Sequence, residues 1–147
     1  MILGVESSCD DTGLAVFDGT RFIYEKTSSQ IDLHARYGGV VPQLAAREHL
    51  RNFPVLLQDL KECIGLNFDR IAVTCGPGLP GSLALGIAFA RSVSIATGRP
   101  IVGVNHLRGH ILSSFIERDF DANVFPHLSL LVSGGNTLLL CVDRDWG

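Results

Sequence analysis

Short apolar runs separated by polar turns open the chain, and the period then lengthens. Met1 to Val5 is an apolar strand that ends in the polar cluster Glu6-Ser7-Ser8-Cys9-Asp10-Asp11-Thr12. Gly13 to Asp18 reads as a second strand, and Asp18-Gly19 as a hairpin turn. Arg21 to Lys26 follows as a third strand, antiparallel to the second, and Ser28 to Gly39 has turn character. From Val40 to Ile64 the period is helical, with Val41, Leu44, Ala45, Phe53, Leu56, Leu57 and Leu60 mostly on one side. Pro42 suits the first turn of that helix, Pro54 predicts a kink or break, and Gly65 ends it. Arg70 to Cys75 and Ile101 to Val104 read as buried strands. Between them lie the loop Gly76 to Gly81 and a helix from Ser82 to Thr97, closed by Gly98. Asn105 is placed to cap a helix from His106 to about Glu117. Leu128–Val132 and Thr137–Val142 are two last strands, joined by the hairpin Ser133-Gly134-Gly135-Asn136.

Three hairpin-linked strands followed by alternating helices and strands do not make a simple dinucleotide-binding order. The pattern resembles the α/β ribonuclease-H-like half-domain, a mixed sheet with flanking helices, which is used twice in actin, the Hsp70 chaperones and sugar kinases. In this reading residues 1–126 form a first actin-like lobe, and 127–147 are the opening strands of a second lobe that the sequence does not contain.

Composition adds one constraint. Of 147 residues, 18% are charged and 46% are hydrophobic, against about 25% charged in typical soluble domains. A surface so poor in charge is expected to be covered in part by another domain or a partner subunit. The net charge of −3 lacks the basic signature of a nucleic-acid binder, so any positive surface for RNA must come from elsewhere. The four cysteines Cys9, Cys63, Cys75 and Cys141 form no CxxC pair. Reduced thiols in a cytoplasmic protein are the expectation. No apolar run approaches the ~20 residues of a membrane span, so no membrane association is expected.

Several segments carry candidate chemistry. His106 and His110, four apart on a helix, share one face, which is the spacing a divalent metal needs. A pair of ordinary surface or capping histidines would have the same spacing. Two ligands are also fewer than the three protein groups a catalytic metal usually takes. The cluster Glu6–Thr12 is dense in hydroxyls and acids that can hold phosphate or position a metal or water, or it is a solvated turn. Gly76–Gly81 precedes a helix but lacks the Gly-Lys-Ser/Thr ending of a P-loop. The helix after it is rich in small residues, which suits close helix or subunit packing. Ser133-Gly134-Gly135 either cups an anion or merely satisfies a hairpin. His34 to Pro42 gathers His, Arg and Tyr beside a glycine pair, as a cleft wall, a partner contact or an exposed loop would.

Five segments in order together resemble one family: Gly4 to Thr12, Leu33 to Pro42, Gly76 to Leu79, His106 to His110 and Leu131 to Gly135. The family is that of the tRNA threonylcarbamoyladenosine transferases (TsaD-type), once labelled O-sialoglycoprotein endopeptidases. The resemblance implies an enzyme that moves threonylcarbamoyl from its adenylate to N6 of an adenosine next to the tRNA anticodon. It implies one divalent metal, iron or zinc, held by His106 and His110, with a third ligand outside this chain. Leu131, Val132, Ser133, Gly134 and Gly135 would hold threonylcarbamoyl-adenylate or ATP. Ser8 and Cys9 would form a phosphate-facing turn, and Asp10 and Asp11 would act in catalysis. Implied partners are tRNA, a paralogous subunit and a small ATPase of the same pathway, with a homodimer through the small-residue helices as a further possibility. Asn136 stands where the family usually has histidine, and the chain stops short of the family's second lobe. The chain alone is therefore expected to be inactive. A non-catalytic paralogue is the alternative, but such partners typically lack the His-x-x-x-His pair. The old protease label asks for a HExxH-type base, and Leu107-Arg108-Gly109 supplies none.

Overall fold

A computed structural model describes residues 1–116, 124–132 and 137–144. The chain divides into two compact units, Met1–His106 and Leu107–Gly147. This division lies upstream of residue 126, the end of the lobe read from the sequence.

The first unit is built on a five-stranded sheet of order β3-β2-β1-β4-β5. Strands β1 (Ile2–Glu6), β2 (Asp11–Phe17) and β3 (Phe22–Ser29) form an antiparallel meander. Strands β4 (Arg70–Gly76) and β5 (Ile101–Asn105) extend it in parallel with β1. Each parallel connection carries a helix, α2 (Pro42–Ile64) or α3 (Pro80–Thr97), after a short α1 (Ile31–Ala35). The mixed sheet with flanking helices is the expected half-domain. Strand alternation sends Leu3, Val5, Leu14, Val16, Ile71 and Val73 into one core with Phe53, Leu56 and Leu60 of α2 and Ala90 and Val93 of α3. Each large side chain buried there contributes about 1.5–3 kcal/mol.

Three local expectations change. Helix α2 runs unbroken through Pro54. Pro54 lies on its exposed side, one turn after the exposed Leu50. Water can reach the carbonyl that proline leaves unbonded, and the buried Phe53, Leu56 and Leu60 hold the helix on both sides of it. The segment after β3 is partly helical, as α1, rather than all turn. Strand β5 is not buried: it is a sheet edge, with Val102 51% exposed.

The second unit contains most of helix α4 (His106–Ser113), which is shorter than expected, and a hairpin of β6 (His127–Val132) and β7 (Thr137–Val142). Ile111, Phe125 and Val142 form its small core.

Candidate functional site

The polar cluster after β1 is held by a buried frame. Alternation places Val5 in the core and Glu6 on the opposite face of the sheet, beside Thr74 of β4. Ser7 turns back toward α3, where its hydroxyl donates to the Ser82 carbonyl at 2.9 Å. Glycine permits this approach: a Cβ on Gly86 would lie 2.2 Å from Ser7 Oγ, and one on Gly78 would lie 2.5 Å from the Ser8 carbonyl oxygen. The loop Gly76–Gly81 thus packs against the Ser7–Ser8 turn.

Behind the turn sits a residue the sequence reading did not single out. His49 of α2 is fully buried. Its Nε2 lies 3.0 Å from the Cys9 carbonyl and its Nδ1 2.8 Å from Thr12 Oγ1. A carbonyl only accepts, so Nε2 carries the hydrogen and Nδ1 accepts from the Thr12 hydroxyl. That hydroxyl accepts in turn from Asn52. The only sequence signal for His49 is its place in the helical period, on the buried side between Ala45 and Phe53.

This frame orients the turn's backbone. The Ser8 carbonyl accepts from Leu79 N–H at 2.7 Å, and the Cys9 carbonyl accepts from His49 and Ser82. In a planar trans peptide the N–H points opposite its carbonyl. The Cys9 and Asp10 amides therefore point away from the helices, the second of them against the Cys9 sulfur. Burial, then the neighbouring Asp10 charge, push the Cys9 thiol up to about 11. Asp10 and Asp11 are half-buried at the start of β2, and Asp11 Oδ1 is buried with no hydrogen-bond partner.

Glu6 ties the turn to His106. Its Oε1 accepts from Ser8 N–H, and its Oε2 accepts from Thr74 Oγ1 and lies 3.3 Å from His106 Nδ1. Ser8 Oγ lies 3.2 Å from the same nitrogen. Burial raises the Glu6 pKa, but hydrogen bonds from the Ser8 hydroxyl, Thr74 and Ser8 N–H, with the His106 ring, outweigh it and hold the carboxyl below its usual value. A shallow groove of about 320 Å³ runs from Glu6 and Thr74 along the open face of the sheet.

His106 closes the first unit and His110 lies in the second, on the same helix α4. Within the second unit His110 and Leu131 line one pocket of about 270 Å³, together with His127, whose buried Nδ1 has no partner. His127 was not among the residues the sequence singled out. Val132 faces outward, 71% exposed. Ser133, Gly134 and Gly135, and Asn136 after them, lie outside the described residues. In the segment His34–Pro42, His34 is a buried clip: Nε2 pairs with Gln30 at 3.0 Å and Nδ1 accepts from Val41 N–H. Arg36 and Tyr37 are exposed.

The donor set fits part of a metal site. Metal-ligating histidines commonly have a carboxylate beside their second ring nitrogen, and His106 Nδ1 lies 3.3 Å from a Glu6 carboxylate oxygen. Among the described residues no three His, Cys, Asp or Glu side chains gather closely enough to hold an ion. Toward such a site the described residues offer His106 and His110, four apart on helix α4. No helix among the described residues is long and apolar enough to cross a membrane.

Comparisons with known proteins agree with this architecture. The family model of TsaD, tRNA N6-adenosine threonylcarbamoyltransferase, matches residues 21–146. A protein of that name from Solidesulfovibrio magneticus is 51% identical over 97% of this chain and 38% of its own length. One from Thermosipho africanus is 40% identical over 99% of this chain and 44% of its own. The chain thus spans about two fifths of the curated relatives it matches. Among solved structures, YeaZ from Pseudomonas aeruginosa aligns with a TM-score of 0.54 at 17% identity, over 97% of this chain and 65% of that one. RuvC of Thermus thermophilus, solved with a Holliday junction substrate, aligns at 0.50 and 14% identity, over 78% of this chain and 68% of that one. These two likenesses speak for the fold alone. With the family model matched over most of its length, the chain belongs to the TsaD family of tRNA N6-adenosine threonylcarbamoyltransferases.

Proposed function

We propose that this chain contributes the first lobe of an acyl transferase that moves threonylcarbamoyl from its adenylate to N6 of an adenosine next to the anticodon of tRNA. The family match across residues 21–146 carries the reading, and the framed turn beside His106 gives it a chemistry. In the transfer, the adenosine amine attacks the carbamoyl carbon, a C–N bond forms and the C–O bond to adenylate breaks. Adenylate leaves as an anion, and the amine gives up a proton. The turn Ser8–Cys9 faces the anionic phosphate, which Cys9 N–H suits. Asp10 or Asp11 orients the amine and takes its proton. His106 and His110 hold a divalent metal, iron or zinc, with a third ligand from beyond this chain. When bound, such an ion supplies Lewis-acid polarisation. Leu131 to Gly135 contact threonylcarbamoyl-adenylate, or ATP in its place.

An exposed apolar face supports the expectation of a protein partner. Helices α2 and α3 expose Leu50, Val55 and Ile95, and Leu50 lines a groove of about 220 Å³ with Phe53, Leu85, Ala88 and Phe89. This face suits a paralogous subunit or a second copy, and the small ATPase and tRNA join through the full complex. Its place is the cytoplasm.

The test is transfer by the full-length protein, with its partners, from threonylcarbamoyl-adenylate to tRNA, read by mass spectrometry of the nucleosides. Product is expected from wild type and lost in His106→Ala and His110→Ala. Undiminished product from both variants refutes the assigned roles. Absence of product from wild type in a reconstituted complex favours a non-catalytic paralogue.

A further inference from the structure

We infer that His49 is a positioning residue for Asp10, acting through the Cys9 carbonyl that it holds; this rests on the reading of Asp10 as the group that orients the amine and takes its proton. The Cys9 carbonyl and the Asp10 N–H belong to one planar peptide unit. His49 Nε2 donates to that carbonyl at 3.0 Å, and the Ser82 hydroxyl donates to it at 3.4 Å. The plane held in this way sets the Asp10 N–H on the Cys9 sulfur, and the Cys9 thiol in turn bonds the Asp10 side chain. His49 thus fixes the peptide from which the Asp10 carboxylate departs, without touching the carboxylate itself.

Asp10 is pinned on its other side as well. Gln30 N–H donates to the Asp10 carbonyl at 3.0 Å, and the Gln30 side-chain amide donates to the Ala45 carbonyl at 3.4 Å. Ala45 and His49 stand one turn apart on helix α2. Both peptide units that flank Asp10 are therefore tied to a single turn of one helix, which the core holds further along at Phe53, Leu56 and Leu60. The ring is also held from behind: Nδ1 accepts from the Thr12 hydroxyl at 2.8 Å, and Asn52 braces that hydroxyl at 3.3 Å. His49 is fully buried, so water has no access to replace a bond that the ring gives up. A carboxylate carried on such a backbone is placed before the substrate arrives, and a misplacement of about 1 Å costs about 100-fold in rate.

Two readouts on the full-length protein with its partners test this, at a temperature well below the Tm of every variant. The first is single-turnover transfer from threonylcarbamoyl-adenylate to tRNA. His49→Leu fills the same space without a donor. It should lower the saturated rate about 10–100-fold and leave the half-saturating concentrations of both substrates near those of wild type. His49→Gln, whose amide N–H reaches the Cys9 carbonyl, should recover most of that rate. Leu60→Ala destabilises the same helix about 16 Å further along and should keep the wild-type rate. Where His49→Leu does not fold, His49→Asn replaces it, because its shorter amide stops at the Nδ1 position, short of the Cys9 carbonyl. An unchanged rate in His49→Leu overturns the inference, as do equal losses in His49→Leu and His49→Gln, or a loss confined to the half-saturating concentrations. A loss in Leu60→Ala as large as that in His49→Leu reduces His49 to a structural brace and overturns it too. The second readout needs no turnover: exchange of the Asp10 amide hydrogen, followed by 15N NMR, should be faster in His49→Leu and close to wild type in His49→Gln. Equal exchange in all three overturns the inference. A wild type that does no transfer but shows this exchange pattern removes the role given to Asp10 in the reaction and upholds the hold of His49 on its peptide.

Discussion

Replacing Gly86 by alanine sets helix propensity against packing. Propensity alone favours the change by about 1 kcal/mol, because glycine inside a helix costs that much relative to alanine. At this position the new Cβ would lie 2.2 Å from Ser7 Oγ. Ser7 is buried and donates to the Ser82 carbonyl at 2.9 Å. Its hydroxyl must swing away, giving up a buried hydrogen bond at about 1–3 kcal/mol. Residual crowding adds about 1–3 kcal/mol. The expected outcome for Gly86→Ala is a net loss of about 1–5 kcal/mol, read as a lower urea midpoint or Tm of the full-length protein. Gly81, near the start of the same helix, is the control: its added Cβ would meet only Ala46 Cβ at 3.7 Å, so Gly81→Ala should be neutral or slightly stabilising. A double-mutant cycle isolates the cause. Ser7→Ala removes Oγ and leaves Cβ 3.4 Å from the new methyl group. The double variant should therefore cost much less than the sum of the singles. Gly86→Ala at wild-type stability, or strictly additive losses, would refute the packing argument.

Other outcomes follow from the same contacts. His49→Ala leaves the Cys9 carbonyl and Thr12 hydroxyl without their ring partner and should cost about 2–4 kcal/mol by thermal denaturation, whereas His49→Gln should restore part of it. Asp18 is held down to about 2 by Arg21 and Thr20 backbone N–H groups and the Thr20 hydroxyl. Because its folded pKa is depressed, its contribution is present above the ordinary carboxylate range and lost as pH falls through about 4 to 2. The Tm of Asp18→Asn should vary less than wild type over that window. The raised Cys9 thiol should alkylate more slowly than the exposed Cys63 and Cys75, as peptide mass spectrometry after timed iodoacetamide treatment would show, and Asp10→Asn should speed it.

Periodicity was sufficient for most of the fold. Alternation in Ile2–Glu6 and Asp11–Phe17 and helical spacing in Pro42–Ile64 are local properties of the chain, because each residue's face follows from its own backbone. The histidine spacing and the polar cluster were legible for the same reason. Where local rules failed, a neighbour distant in sequence decided. Pro54 stays helical because the core holds α2 on either side of it, and β5 is exposed because it is a sheet edge. Nothing local sets His49 apart from an ordinary helix histidine or Glu6 from an ordinary strand-end acid. One gains its role from Cys9 and Thr12, and the other from Thr74 and His106. The sequence by itself determined which residues could carry chemistry and which element each belongs to. Only the tertiary structure decided which way their hydrogens and lone pairs point, because hydrogen-bond direction is set by partners that come together when the strands and helices pack.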